Sequence, residues 1–288
     1  MTPSKTAQIL CTALLVSLAG APAFAQQAPA ESKDYAPQVG QAGKDVVWVP
    51  TPEALVERML KMAGVTKNDY VIDLGSGDGR TVIMAAQKFG ARAMGIEYNP
   101  DMVALSIKNA EKAGVGDKVK FVKADLFETD FSQATVITMY LLPGINIKLR
   151  PKILDMRPGT RVVSHAFNME DWQPDQVATV EGRDAYLWIV PAKVAGRWKV
   201  NVPAGSGEEI WDVTLNQEFQ KISGKAQLGG RSYDLAEAQL RGANVRFTFV
   251  DGNGTKRDFS GRARGDRMEG TTQTQGGTQA KWNATRAS

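Results

Sequence analysis

The sequence predicts an open, mostly parallel α/β sheet with an antiparallel edge, followed by a small all-β barrel or sandwich. Three observations carry this. Strand-like apolar runs alternate with helical patterns from Val46 onward, two late strand-like runs then follow one another directly, and helical periodicity vanishes beyond Gly196. At 288 residues the chain suits one large or two modest domains, and its apolar (43%) and charged (23%) fractions are those of an ordinary globular protein. The formal charge of +4 is mild and no Lys/Arg cluster stands out, so nucleic acid is not an expected partner.

Residues 1–25 read as an export signal. Lys5 supplies the positive start, Ile9 to Leu18 is almost wholly apolar, and Ala23-Phe24-Ala25 is a small-x-small cleavage site. The expected location is therefore exported, periplasmic or envelope-associated. The apolar run is short for a membrane span, and an uncleaved membrane anchor is the alternative. Cys11, the single cysteine, lies inside this segment, so a processed chain has no thiol for disulfides, thiolate catalysis or metal ligation. Residues 26–45, rich in Pro, Ala and Gln, read as a flexible leader.

The first domain is expected over 46–192. Thr51 as N-cap, Pro52 and Glu53 begin a helix that Gly64 ends. Tyr70 to Leu74 is a strand, and Val82, Ile83 and Ala86 give the next helix an inward face. Arg92 to Ile96 is a second strand, after which Asn99-Pro100 opens a helix that Gly114 closes. Val119 to Val122 and Ala134 to Tyr140 are further strands, then a helix runs from about Asn146 to Met156, shortened or kinked by Pro151. Arg161 to His165 is a fifth strand, and Val177 to Val180 with Tyr186 to Val190 form a hairpin around Gly182.

The chemistry concentrates in Asp73-Leu74-Gly75-Ser76-Gly77-Asp78-Gly79-Arg80, where a strand passes through alternating glycines into a helix. Glycine admits positive φ and close backbone approach to a ligand. A dinucleotide fingerprint places its third glycine one residue later, and the flanking acids Asp73 and Asp78 would repel a pyrophosphate. They suit a ligand carrying an ammonium and a sulfonium. Alone, the glycines also fit an ordinary strand-to-helix turn. Glu97 and Asp125 follow the next two strands, at the carboxyl ends where such sheets bind ligands, and are placed to accept from ribose hydroxyls and an adenine amino group.

The acid followed by Gly-x-Gly-x-Gly resembles motif I of class I S-adenosylmethionine-dependent methyltransferases, which have a Rossmann-like sheet. Trp48-Val49-Pro50-Thr51, the glycine loop, Gly95 to Pro100, Met139 to Pro143, Arg161 to Ser164 and Trp172-Gln173-Pro174 occur in an order similar to a narrower family. These are the seven-strand protein-lysine methyltransferases whose mitochondrial members modify the c-ring protein of ATP synthase and the adenine nucleotide translocator, together with their bacterial homologues. The resemblance covers about 46–191 and implies S-adenosyl-L-methionine as cofactor, held by Asp73, Gly75, Ser76, Gly77, Asp78, Gly79, Glu97 and Asp125. It implies an acceptor channel at Tyr140 to Pro143, with Tyr140 and Pro143 as catalytic candidates and Trp48, Pro50 and Thr51 beside the substrate. Tyr140 equally fits a core position. In many amino-methylating relatives that turn begins with Asp or Asn; this chain has neither there. His165, the only histidine, follows a strand where a general base could be proposed, but it reads as structural or supporting because the family pattern calls for no histidine there, and one histidine among scattered acids offers no metal site.

Over 196–288 short alternating runs and Gly-rich turns, including Asp251-Gly252-Asn253-Gly254, describe a β-rich domain. Its tryptophans near both ends, Trp198 and Trp282, resemble those of a lipocalin-like barrel, plugging the core. The expected activity is methyl transfer to a protein lysine. A small-molecule or lipid-headgroup acceptor, or an exported binding protein that keeps the fold without catalysis, are the alternatives.

Overall fold

The computed structural model describes residues 35–204, 207–274, 277 and 279–287. The export-signal reading, Cys11 and residues 26–34 of the leader lie outside the described residues. Within them no helix is long and apolar enough to cross a membrane.

The first seven strands are β1 (Tyr70–Leu74), β2 (Arg92–Glu97), β3 (Val119–Lys123), β4 (Val136–Met139), β5 (Arg161–His165), β6 (Gln176–Val180) and β7 (Arg183–Ile189). They form one sheet in the order β3-β2-β1-β4-β5-β7-β6, parallel except at β7, which runs antiparallel to both of its neighbours. The order reverses at β1, next to β4, and that is where open α/β sheets form their ligand crevice.

Strand alternation sends side chains to two cores. Val71, Val136 and Val163 face α1 (Glu53–Met62), α2 (Arg80–Phe89) and Ala110 of α3 (Pro100–Lys112). Ile72, Ile137 and Val162 face the other way, onto Leu149 and Ile153 of α4 (Pro143–Leu154) and onto Trp172 and Trp188. At the β6–β7 turn Glu181 and Gly182 have φ of 50° and 75°, the two positive values that a two-residue hairpin with the sheet's twist requires.

Two boundaries differ from expectation. Pro52, not Thr51, is the N-cap of α1 and makes no side-chain cap bond; the Thr51 hydroxyl is engaged by His165 instead. α4 begins at Pro143 rather than near Asn146, because a proline lacks the N–H that a first helical position leaves unpaired anyway. Pro151 sits inside this helix without ending it.

The remaining strands are β8 (Gly196–Ala204), β9 (Gly207–Glu218), β10 (Lys221–Leu228), β11 (Arg231–Asp234), β12 (Ala236–Arg241), β13 (Asn244–Val250), β14 (Lys256–Arg264), β15 (Arg267–Thr274) and β16 (Ala280–Arg286). All pairings are antiparallel, in the order β11-β10-β9-β8-β16-β15-β14-β13-β12, and the sheet curls into a nearly closed barrel as β10 comes against β12. Its interior holds Trp198, Trp211, Trp282, Phe247, Phe249 and Phe259, all buried. Burying an aromatic of this size contributes about 4–6 kcal/mol before entropy is subtracted, which suits a fold without disulfides among its described residues. The β9–β10 turn reaches the mixed sheet: the Trp172 indole N–H donates to Gln220 Oε1 at 2.9 Å, and Phe219 stacks on Trp172 at 5.9 Å.

Candidate active site

At the reversal point lies a cavity of about 290 Å³, lined by the glycine loop, the end of β2 and the residues after it, residues 124–126, Met139 to Leu142, Phe167 and a strap spanning 41–51. Strand register explains the loop end. Asp73 stands between Gly95 of β2 and Thr138 of β4, so the Thr138 hydroxyl donates to Asp73 Oδ1 at 2.7 Å while the other side carries no side chain. A Cβ on Gly95 would come within 2.4 Å of Ser76 Oγ. The Gly75 and Ser76 N–H groups donate to the Ile96 carbonyl at 2.9 and 3.0 Å, and the Gly77 N–H donates to Glu97 Oε2 at 2.9 Å. From the other side α3 grips the loop carbonyls: Ser106 Oγ donates to Gly77 O at 2.8 Å and Asn109 Nδ2 to Asp78 O at 3.0 Å.

Gly75, Gly77 and Gly79 all have positive φ (75°, 54° and 83°). At Gly77 a Cβ would meet the Trp48 indole at 2.6 Å, so strap and loop touch only because this residue has no side chain. Gly79 caps α2 and lies against Phe121, outside the cavity lining.

Burial pushes the Asp73 carboxyl up to about 7; the charges of Glu97 and Asp78 add to it, and the hydroxyl bonds from Thr138 and Thr81 oppose it. Asp78 is neutralised by Arg80, whose Nε and Nη2 donate to it at 3.0 and 2.6 Å, and whose Nη1 donates to the Thr51 carbonyl at 3.0 Å. Asp125 is paired with Lys44 of the strap, which holds its carboxyl below the usual range. Asp73 and Glu97, by contrast, take no lysine or arginine as an ion-pair partner among the described residues.

The opposite end of the cavity is neutral. Tyr140 and His165 each lie one residue past Met139 and Ser164, the last pair between β4 and β5, with ring centroids 3.8 Å apart, and Tyr140 stacks on Phe167 at 6.1 Å. His165 Nδ1 is 3.0 Å from Thr51 Oγ1. Burial, with Arg183 adding to it, pushes the imidazole down to about 4, so the ring is uncharged at neutral pH. Phe167 is held by a three-residue turn in which its N–H donates to the His165 carbonyl at 2.7 Å, with Ala166 at φ 62°. An alanine there costs about 1–2 kcal/mol. Asn146 Nδ2 fastens the loop through the Phe167 and Asn168 carbonyls at 3.3 and 3.2 Å.

Asp73, Gly75, Ser76, Gly77, Asp78, Glu97, Asp125, Trp48, Pro50, Thr51 and Tyr140 are brought together around one cavity; Gly79 and Pro143 are not among its lining. Pro143 is exposed at the start of α4. Sequence reasoning passed over Gly95, Thr138, Ser106, Asn109, Lys44 and Phe167. Of these only Gly95 carried a local signal, a glycine inside a strand, which marks a close approach.

The residues fit S-adenosylmethionine. A buried, uncompensated carboxylate asks for a cation, Ser76 Oγ is buried without a partner, and Glu97 keeps acceptor capacity beyond its two backbone donors. Fold and cavity together define a class I S-adenosylmethionine-dependent methyltransferase.

Comparison with known proteins agrees. Residues 73–176 match the family model described as the ANTKMT methyltransferase domain. The chain is 44% identical over 151 residues to a protein-lysine N-methyltransferase of Saccharolobus islandicus, covering 50% of this chain and 94% of that one. It is 36% identical over 146 residues to the human lysine N-methyltransferase named for the c-ring protein of ATP synthase, covering 50% of this chain and 61% of the human one. It also resembles a crystal structure described as an RNA methyltransferase from Salinibacter ruber with S-adenosyl-L-homocysteine, at 52% identity and a TM-score of 0.50, covering 51% of this chain and 96% of that one. The chain belongs to this family of methyltransferases, which includes the archaeal lysine enzyme. The residues that match the family model lie wholly in the mixed-sheet part of the chain, outside the barrel.

Proposed function

We propose that the chain transfers a methyl group from S-adenosylmethionine to a lysine side chain of a protein. The carrying observation is the division of one cavity into an acidic end at Asp73, Glu97 and Asp125 and a neutral end at Tyr140 and Phe167, with the uncharged His165 ring packed against Tyr140. The cofactor supplies a methyl group on a positively charged sulfur.

The acidic end holds it. Asp73 and Glu97 offer carboxylates, Ser76 a hydroxyl, and the glycine loop a backbone surface without Cβ atoms; these roles, with those of Gly75, Gly77, Asp78 and Asp125, form part of the proposal. The neutral end receives the acceptor through Tyr140, with Trp48, Pro50 and Thr51 on the strap closing over it. A lysine near pKa 10.4 gives up its proton at neutral pH for about 4–5 kcal/mol, and the positive charge on the cofactor's sulfur reduces that by disfavouring the ammonium beside it. A carboxylate at this end would do the reverse. The remaining requirement is in-line positioning, which rigid walls provide.

The Salinibacter ruber relative brings an RNA acceptor into consideration. The cavity lining speaks against it: its cations, Lys44 and Arg80, are both already paired with carboxylates, leaving none among the described lining residues for a phosphate. Acetylating the lysines of a protein extract before offering it with labelled S-adenosylmethionine tests the reading. Transfer should fall to background; undiminished transfer would overturn it.

The division into a methyltransferase domain at 46–192 and a β-rich domain at 196–288 is part of this reading, as is export directed by residues 1–25. Amino-terminal sequencing of the protein recovered from its host would find Gln26 first if the segment is cleaved as proposed, and Met1 if it is retained as an anchor.

A further inference from the structure

Phe167 lines the cavity beside Tyr140, and three independent features keep it there: the positive φ of Ala166, the Asn146 amide on the loop carbonyls, and the N–H of Ala166 donating to Asp184 O at 2.8 Å. Strain of this kind persists only where the surroundings enforce it, and it collects at functional sites. The two rings form one aromatic wall, tilted by 23°. The carboxylates that line the cavity belong to the strap, to the glycine loop with the end of β1, to the end of β2 and to the segment after β3, so the wall has no acid of its own.

We infer that Phe167 is a specificity-determining residue: with Tyr140 it forms a wall for a cationic methylammonium, which lets a nitrogen that has already taken a methyl group remain in place for another. The inference rests on the lysine reading. In each transfer the nitrogen lone pair forms the new C–N bond, the methyl–sulfur bond breaks with its electron pair left on sulfur, and the proton goes from nitrogen to water. Every methyl added removes one N–H. A pocket that binds the amine through hydrogen-bond acceptors loses a partner at each step and leaves an acceptor unpaired. Ring faces attract the cation whether it carries hydrogens or methyl groups, so the wall tolerates the exchange.

The test uses the full chain and tetramethylammonium as the probe, followed by proton NMR titration, alongside mass spectrometry of the methyl states on acceptor lysines. Phe167→Leu should weaken tetramethylammonium about fivefold to tenfold and shift the lysine products toward one methyl, and Phe167→Tyr should restore both. Ala166→Gly keeps the ring and frees the turn; it should shift the products the same way, and it serves where Phe167→Leu does not fold. Unchanged affinity and unchanged product states in these variants would overturn the inference while leaving lysine methylation intact. Label found on RNA instead of lysine would remove the lysine reading, and tetramethylammonium binding independent of Phe167 would remove the wall.

Discussion

Thr138 donates its hydroxyl to the buried carboxylate of Asp73 at 2.7 Å, across the boundary between the two strands where the sheet order reverses. On the other side of Asp73 the neighbour in register is Gly95. Its neighbours in register are thus a neutral donor and bare backbone, and burial, with the charges of Glu97 and Asp78 adding to it, drives its carboxyl up to about 7.

That shift sets a pH dependence. The folded value lies above the ordinary 3.8, so the folded state holds a proton that the unfolded chain gives up, and stability falls as pH rises from about 4 to about 7. The full effect is on the order of 4 kcal/mol at about 1.36 kcal/mol per unit. A cationic cofactor favours the ionised acid, so binding at pH 6.5 releases a proton and tightens as pH rises through about 7. Calorimetry in buffers of differing ionisation heat measures that proton. Asp73→Asn should raise the stability of the cofactor-free protein near pH 7, weaken cofactor binding at pH 8 and abolish the proton release.

His165 works in the opposite sense. Its folded value of about 4 lies below the ordinary 6.5, so the unfolded chain binds the extra proton, and the contribution to stability is complete above pH 6.5 and lost as pH falls toward 4. Its size is on the order of 3 kcal/mol. Asp73 and His165 thus offset each other through much of this range in the parent protein. His165→Gln removes the opposing contribution, so the variant should gain stability relative to the parent as pH falls from 6.5 to 4, as read by urea denaturation at a series of pH values. An unchanged pH profile would show that the imidazole is not held neutral.

Gly95→Ala introduces a Cβ 2.4 Å from Ser76 Oγ without a forbidden backbone angle, since Gly95 does not have positive φ. Both the loop at Ser76 and the Phe121 ring of β3, 2.6 Å from the added carbon, must give way. The expected result is a folded protein with cofactor affinity reduced at least about tenfold, consistent with overpacking that costs about 1–3 kcal/mol. Gly77→Ala should be worse, because a φ of 54° and the Trp48 indole both oppose it. Equilibrium dialysis with labelled cofactor ranks the two variants.

Which parts were legible follows from how far each signal reaches. Asp73, the glycine loop and Glu97 are local: a strand, a turn and an acid at the next strand end can be read from spacing. Thr138, Ser106 and Asn109 act on that loop from 29 to 65 residues away, and their spacing says nothing of it. Lys44 reaches Asp125 from a segment whose composition reads as a flexible leader. Thr51 carries a genuine capping signal, yet a buried partner, His165, takes its hydroxyl away from the helix end. β12 shows no strand signal because Ala236-Glu237-Ala238-Gln239-Leu240-Arg241 is made of helix formers, and pairing with β13 overrides them. The barrel tryptophans are easier, since a large aromatic in an alternating run has few places to go but inward.

Trp172 tests the junction between the two sheets. It is fully buried, stacks on Phe219 and bonds Gln220, so Trp172→Ala removes a core side chain and the barrel's anchor together. The expected destabilisation is about 3–5 kcal/mol. Gln220→Ala should cost far less, about 1 kcal/mol, because only hydrogen bonds of a partly exposed side chain are lost. Differential scanning calorimetry of both variants measures the difference.

The most direct measurement is to offer methyl-labelled S-adenosylmethionine, with the enzyme, to a mixture of envelope proteins and total RNA from the same host, and to locate the label by mass spectrometry. Label is expected on lysine side chains, and Glu97→Ala should abolish it. Label on nucleotides, or on small molecules with none on lysine, would contradict a protein-lysine methyltransferase.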